Sequence, residues 1–91
     1  MKGRPRYVRN PEVVLTTVGG QFVLVLEAGA RSYSLDPIAS GIWRLLETPA
    51  CSAEIFEALA DAFPDEPPDQ IAEDSAAVLG DLMAAGLVRE A

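Results

Sequence analysis

The chain has 91 residues, which is enough for one small domain with a single hydrophobic core. Apolar residues make up 49% and charged residues 23%, a balance typical of a globular fold. The net charge of −7 argues against a general nucleic-acid binder, because such proteins neutralise phosphates with cations. The sequence has no histidine and one cysteine, which excludes histidine catalytic pairs, histidine zinc sites, internal disulfides and cysteine-cluster metal sites.

Charge is distributed unevenly along the chain. Residues 1–10 contain no acid, whereas residues 11–91 contain all 14 acidic residues. The basic residues of the first segment are Lys2, Arg4, Arg6 and Arg9. We expect residues 1–10 to form a basic, flexible N-terminus and residues 11–91 to form the folded domain. The alternative is that the basic segment pairs with an acidic partner or with the acidic face of its own chain.

The sequence shows no signal for secretion or for crossing a membrane. The basic start is not followed by an apolar stretch with a small-residue cleavage site. The longest apolar run, residues 22–26, is far shorter than the roughly 20 residues that cross a bilayer. We therefore expect a cytoplasmic protein that has no membrane partner.

The first third of the chain has the period of β-strands. Residues 13–17 are rich in β-branched side chains and lead to Gly19-Gly20, a pair suited to the positive φ angles of a tight hairpin turn. Residues 22–26 are continuously apolar, which predicts a central strand buried on both faces, and Ala28-Gly29 ends it. Residues 31–35 alternate polar and apolar side chains, as in a half-buried strand. The pattern predicts a three-stranded antiparallel meander.

From residue 36 the apolar period changes to 3.6, which predicts three helices. Asp36-Pro37 combines an N-cap acceptor with proline at the first helical position, and the first helix should reach about residue 47. Ser52 is expected to cap the second helix. The third should span residues 68–85, with Gly86 as a left-handed cap. The predicted fold class is α+β, with the sheet followed by three helices in a winged helix-turn-helix-like arrangement.

Apolar residues at helical spacing predict which side of each helix faces the core. They are Ile38, Ile42, Trp43, Leu45 and Leu46 in the first helix, Ile55, Phe56, Leu59 and Phe63 in the second, and Ile71, Val78, Leu79 and Leu82 in the third. The extended tail at residues 87–89 is expected to fold back on this core.

The segment from Tyr33 to Leu46 carries the most information. It has the pattern Y-x-L-D-x-x-A-x-x-I-W-x-L-L, which closely resembles the PqqD-like family of RiPP recognition elements. These are small domains that bind leader peptides of ribosomally made, post-translationally modified peptides. The likeness continues through S-x-x-I-x-x-x-L at residues 52–59, I-x-x-D at residues 71–74 and G-L-V at residues 86–88. It covers nearly the whole chain.

Two details bear on the pathway. The Ile42-Trp43 step and the hairpin containing Gly20 look more like the stand-alone recognition proteins of lasso-peptide biosynthesis. The chaperone of pyrroloquinoline quinone synthesis usually has a Pro-Glu step before its third strand, where this chain has glutamate without proline at residues 26–29. The lasso-peptide, pyrroloquinoline quinone and other pathways stay open at this point.

The resemblance implies that the leader lies as an extra strand along the exposed edge of the third strand, in a cleft closed by the third helix. Such an edge offers unpaired N–H and C=O groups to an extended peptide. The implied strand residues are Arg31, Ser32, Tyr33, Ser34 and Leu35, and the implied helix residues are Glu73, Ala76, Ala77, Gly80 and Met83. Gly80 provides either room for a leader side chain or a site of close internal packing, because glycine inside a helix costs about 1 kcal/mol relative to alanine.

The sequence leads to three functional hypotheses. The first is a non-catalytic module, without cofactor or metal, that binds a leader peptide and presents it to a separate leader peptidase or other modifying enzyme. The second is a winged-helix DNA-binding regulator, which needs cations on its recognition helix, yet the predicted third helix has no Lys or Arg. The third is a small enzyme, for which neither a phosphate loop nor a base able to activate Cys51 is visible.

Overall fold

The computed structural model describes residues 4–27 and 31–91. Its elements in chain order are β1 (Tyr7–Arg9), β2 (Val14–Val18), β3 (Gln21–Leu26), β4 (Arg31–Ser34), α1 (Pro37–Leu45), α2 (Ser52–Ala62), α3 (Pro68–Ala84) and β5 (Val88–Glu90). The predicted strand break at Ala28-Gly29, and Lys2 of the basic start, lie outside the described residues.

Strands β2, β3 and β4 form an antiparallel sheet in that order, which confirms the predicted meander. Val18 pairs with Gln21, so the hairpin between β2 and β3 turns on Gly19 and Gly20 alone. Their φ angles are 59° and 81°. A two-residue turn with positive φ at both positions matches the twist of antiparallel strands, which explains why glycine occupies both positions.

The central strand β3 is less buried than its sequence predicts. Leu24 is fully buried, but Phe22 is 50% exposed and Val23 and Val25 are half-buried. The expectation of a strand buried on both faces is therefore wrong. Side chains alternate between the two faces of a strand, and the core contains Leu24 from only one of them.

The N-terminal segment differs from the flexible start expected from its charge. Strand β1 pairs antiparallel with β5, and the Tyr7 N–H donates to the Ala50 carbonyl at 2.8 Å. The Arg9 guanidinium lies 4.8 Å from the centre of the Trp43 ring, and its Nε donates to the Trp43 carbonyl at 2.7 Å. The expected domain boundary at residue 11 therefore needs correction, because the fold already includes Tyr7.

The same pairing accounts for the C-terminal tail. Leu87 and Val88 are almost completely buried, and the Gly86 that precedes them has a φ angle of 76°. The left-handed cap ends α3 and turns the chain back onto the core, as the sequence predicts.

Local signals set the starts of two helices. The Asp36 carboxylate accepts a hydrogen bond from the Ala39 N–H at 2.7 Å, and Pro37 is the first helical residue of α1. At α2 the expected cap is Ser52, but Cys51 is the N-cap and Ser52 is the first helical residue. Glu54 explains the shift, because its carboxylate reaches back to accept the Cys51 N–H at 2.9 Å.

The core lies between one face of the β2–β4 sheet and the three helices. Its fully buried large side chains come from the central strand, every helix and the C-terminal tail. They are Leu24, Ile42, Leu46, Ile55, Leu59, Ile71, Leu82, Leu87 and Val88. In this arrangement helix α3 packs against both α1 and α2.

The cap of α2 predicts a pH effect. The pKa of Glu54 lies below its ordinary value of 4.5, chiefly because the Cys51 backbone N–H donates to its carboxylate, then because of the Cys51 side chain, and then because of the Arg6 charge. The stabilisation from Glu54 is therefore complete above about pH 4.5 and is lost as the pH falls through the lowered pKa. We expect Glu54→Gln to flatten the fall in melting temperature between about pH 5 and pH 3. Glu57→Gln, one turn later, is the matched control, and parallel curves for the two variants would contradict the assignment.

Candidate functional site

The outer edge of β4 is open, since no strand among the described residues pairs with its far side. The Leu35 N–H donates to the Phe22 carbonyl of β3 at 2.9 Å. Hydrogen-bonding direction alternates along an antiparallel strand, so Tyr33 also bonds to β3. Ser32 and Ser34 therefore direct their N–H and C=O groups outward. The edge presents two backbone donors and two backbone acceptors.

The side chains of this strand divide between surface and core. Arg31, Ser32 and Ser34 are exposed and Tyr33 is half-buried. Leu35 is only 6% exposed and belongs to the core cluster. Of the five predicted strand residues, four are accessible to a ligand through their side chains. Leu35 instead anchors the end of the strand beside α1.

Helix α3 faces Tyr33 through one identifiable side. The pKa of Tyr33 is raised by burial first, and then by the negative charges of Asp81 and Asp36. Asp81 is therefore close enough to Tyr33 for its charge to act on the phenol. Residues four apart on a helix share a side, so Ala77 lies on the same side as Asp81. We use the name β4–α3 cleft for the surface that carries Tyr33 of β4 and Ala77 and Asp81 of α3, because the family resemblance implies that the leader binds there.

The other predicted helix residues do not form one wall. Ala76 lines a groove against α2, together with Ala53 and Phe56. Consecutive residues of a helix point about 100° apart, so Ala76 and Ala77 face different neighbours. Glu73, Gly80 and Met83 are exposed. The predicted single wall is thus corrected: Ala77 lies on the cleft side and Ala76 on the α2 side.

Gly80 has free space around it. A Cβ atom added there would meet no heavy atom of the described residues within 4 Å, apart from its own helix and chain neighbours. The close-packing explanation for this glycine is therefore excluded, and the position has room for a larger side chain.

This openness gives a stability prediction. We expect Gly80→Ala to stabilise the fold by about 1 kcal/mol, because alanine is the better helix former and nothing obstructs it. For a domain of this size the melting temperature should rise by about 4–8 °C. Gly41→Ala is the control, since a Cβ at Gly41 would lie 2.8 Å from Leu59 Cδ2 and should gain less or lose. A lower melting temperature for Gly80→Ala would contradict the open position.

An apolar surface that the sequence did not predict lies where the sheet meets α1. Leu15, Phe22, Leu35 and Trp43, with Arg44 at its border, line a pocket of about 330 Å³. Leu15 and Phe22 are about half exposed. Leu15, Phe22 and Leu35 lie on the same face of the sheet as the buried Leu24, so the helices cover this face only in part.

The remaining large exposed apolar side chains lie on the same hairpin or on α3. Val14 and Val18 are 57% and 62% exposed, on the opposite face of β2 from Leu15, and Met83 is 37% exposed. The sequence did not single out Val14 or Val18, whereas Met83 is one of the predicted helix residues of the leader site.

Negative charge dominates the helical part of the site. Helix α3 contains no Lys or Arg and has four acids, which are Asp69, Glu73, Asp74 and Asp81. A recognition helix of this charge would repel phosphates, so the DNA-binding alternative gains no support. Within residues 4–27 and 31–91, no cluster of three acidic or cysteine side chains has a geometry that could hold a metal ion. In the same ranges, no helix has the length and apolar character needed to span a bilayer.

Comparisons with known proteins identify the family of this chain. The family model for coenzyme PQQ synthesis protein D (PqqD) matches residues 21–88, a span that contains β3, β4 and all three helices. The chain belongs to the PqqD family. This confirms the family predicted from the pattern between Tyr33 and Leu46, and it places the β4–α3 cleft inside the matched part of the chain.

A solved structure supports the same fold for this PqqD-family chain. TbiB1, determined in complex with the TbiA(beta) leader peptide, superposes with a TM-score of 0.74 at 23% sequence identity. The alignment covers 90% of this chain and 94% of TbiB1. It confirms the predicted α+β architecture. A search of curated protein sequences found no match.

Proposed function

We propose that this PqqD-family domain binds the leader segment of a ribosomally synthesised precursor peptide by strand addition to β4. The observation that carries the proposal is the open β4 edge, where Ser32 and Ser34 direct backbone donors and acceptors into solvent beside α3. TbiB1, which shares the fold, was solved with a leader peptide bound. An extended peptide would gain main-chain hydrogen bonds on this edge whatever its sequence.

Selectivity would come from side chains that alternate along the bound peptide. Those on the core side would enter the β4–α3 cleft, between Tyr33 and the turn of α3 that carries Ala77 and Asp81. Ala77 leaves room for an apolar side chain, and Asp81 would favour a neighbouring cation over an acid. Those on the outer side would lie beside the hydroxyls of Ser32 and Ser34.

The domain would act without chemistry of its own. It would hold the leader while a separate leader peptidase or other modifying enzyme acts on the following core segment. Tethering makes the encounter between enzyme and core peptide intramolecular, which raises the effective concentration of the substrate. The Ile42-Trp43 step favours a lasso-peptide pathway over pyrroloquinoline quinone synthesis.

Binding of the two halves of a precursor tests the proposal. The leader half and the core half of a cognate precursor peptide are labelled separately and titrated with the full chain by fluorescence anisotropy. We expect the leader to bind and the core to bind at least about tenfold more weakly, a difference of about 1.4 kcal/mol. Equal affinities for the two halves would contradict a leader-recognition function.

A further inference from the structure

A second groove lies between the first half of α2 and the middle of α3. It encloses about 320 Å³, and its lining includes Ile55, Phe56 and Leu79 with the small residues Ala53 and Ala76. Ala76 and Ala77 point in different directions, so this α2–α3 groove opens on a different side of α3 from the β4–α3 cleft. A partner bound in the groove would leave the β4 edge free.

The walls of the groove carry charge of one sign. Residues 45–88 contain no Lys or Arg, and their acids are Glu47, Glu54, Glu57, Asp61, Asp65, Glu66, Asp69, Glu73, Asp74 and Asp81. Helical spacing places Glu57 beside Ala53 at the outer border of one wall, and it places Glu73 next to Ala76 and Ala77 on the outer side of the other helix. Both glutamates are exposed. The groove is therefore apolar at its base and acidic along both rims.

The first turn of α2 already binds a guanidinium group. Arg6 Nη1 lies 3.1 Å from Glu54 Oε1 and 3.4 Å from the Pro49 carbonyl oxygen. Glu54 points about 100° away from Ala53, so this contact lies outside the groove. It shows that the acidic surface of α2 accommodates a cation, with a carboxylate and a backbone carbonyl as its partners.

We infer that the α2–α3 groove binds a basic amphipathic helix of a partner protein. Apolar side chains at helical spacing would occupy the groove between Phe56 and Leu79, and Lys or Arg on either side of them would face Glu57 and Glu73. A groove between two helices matches the ridges of a third helix, and the complementary charge selects its sign and accelerates the encounter. An anionic lipid surface would be repelled by the same rims.

Two synthetic peptides provide the probe. Both are amphipathic helices with leucine at the same positions, and one carries Lys and Arg where the other carries Glu. Each is titrated into the full ¹⁵N-labelled chain, and amide shifts are followed by NMR. We expect the basic peptide to shift signals from Ala53, Phe56, Ala76 and Leu79, with binding that weakens as salt is added. The acidic peptide should cause no shifts in this groove.

Variants on α2 separate the groove from general charge attraction. Ala53→Phe should fill the groove, and Glu57→Lys should reverse the charge of one rim, each weakening the basic peptide about tenfold. Glu12→Lys makes the same charge change outside the groove and should leave the affinity within about twofold. Glu57 is exposed, so its variant tests the proposal even if Ala53→Phe unfolds.

Several results would overturn the inference. They are equal binding of the two peptides, shifts centred on the loop at residues 64–67 or on β4, and equal weakening by Glu12→Lys and Glu57→Lys. Leader binding is measured with the same variants, which lie outside the β4–α3 cleft. If the basic peptide does not bind the groove but the leader still binds, only this inference is contradicted. If the leader does not bind but the basic peptide does, only the proposed function is contradicted.

Discussion

Ser34→Pro is expected to weaken leader binding by about tenfold or more while the domain stays folded. The substitution removes an outward N–H, and the peptide carbonyl that it would have bonded is left without a donor. An unsatisfied group of this kind costs about 1–3 kcal/mol, which corresponds to roughly 5- to 150-fold in affinity. Proline is tolerated on the open side of an edge strand, so the ladder with β3 should survive. Ser32→Pro should behave in the same way, because residues two apart point in the same direction.

The sheet supplies a matched control on its other edge. Thr17 of β2 is opposite Phe22, whose carbonyl bonds to β4, so Thr17 directs its own N–H away from β3. Thr17→Pro therefore makes the same change on the opposite edge of the same sheet. If the leader adds to β4, Thr17→Pro should leave its affinity unchanged. Tyr33→Pro should instead unfold the sheet, because that N–H bonds to β3.

The measurement combines anisotropy titrations of labelled leader with circular dichroism melts of each variant. Normal leader affinity in folded Ser32→Pro and Ser34→Pro would contradict strand addition at β4. Loss of affinity in Thr17→Pro alone would move the binding site to the β2 edge, beside the exposed Leu15 and Phe22. The result therefore distinguishes between two edges of one sheet.

The elements with strong local signals were predictable from the sequence. Gly19-Gly20 requires a turn with positive φ, Asp36-Pro37 starts a helix, and Gly86 ends one, whatever the rest of the chain does. Strand β1 has no such signal. It is only three residues long, from Tyr7 to Arg9. Its partner strand β5 lies some 80 positions further along the chain. Its formation depends on non-local pairing that charge and composition do not report.

Burial was predictable only as a pattern. The apolar run of β3 indicates that the strand is central, but it does not say how many layers cover it. Phe22 lies on the same face as the buried Leu24, but it is near the end of the strand, where the helices leave it half exposed. The cap of α2 was also hard to predict from the sequence. Cys51 is the N-cap instead of Ser52 because the Glu54 carboxylate lies close enough to accept the Cys51 N–H.

In the candidate site, the outward-facing residues of β4 could be predicted from the sequence, but the rotation of α3 about its axis could not. Alternation alone places Ser32 and Ser34 on the same side of β4, and their outward direction needed only one observed hydrogen bond, from Leu35 to Phe22. The orientation of α3 depends on packing against α1 and α2, which the sequence does not specify to within the 100° that separates adjacent residues. The burial of Ile71, Ser75 and Leu82, and the place of Ala76 in the groove with α2, resolve this orientation.

This orientation gives a second test of large expected effect, in which one substitution is made at two adjacent positions. Ala77→Trp should obstruct the β4–α3 cleft and weaken leader binding by at least about tenfold, because the indole would occupy the space between α3 and Tyr33. Ala76→Trp places the same side chain against α2, in the groove with Ala53. It should leave leader affinity within about twofold, since it changes nothing that faces β4.

Both alanines are exposed on the same helix, so the helix-propensity cost of tryptophan, about 0.5 kcal/mol or slightly more, is shared and cancels in the comparison. Melting temperatures of the two variants should therefore agree within a few degrees. A leader affinity that falls in Ala77→Trp alone would show that the cleft side of α3 contacts the peptide. An affinity that falls in Ala76→Trp alone would show that the leader lies along α2 and that the β4 edge is not its binding site.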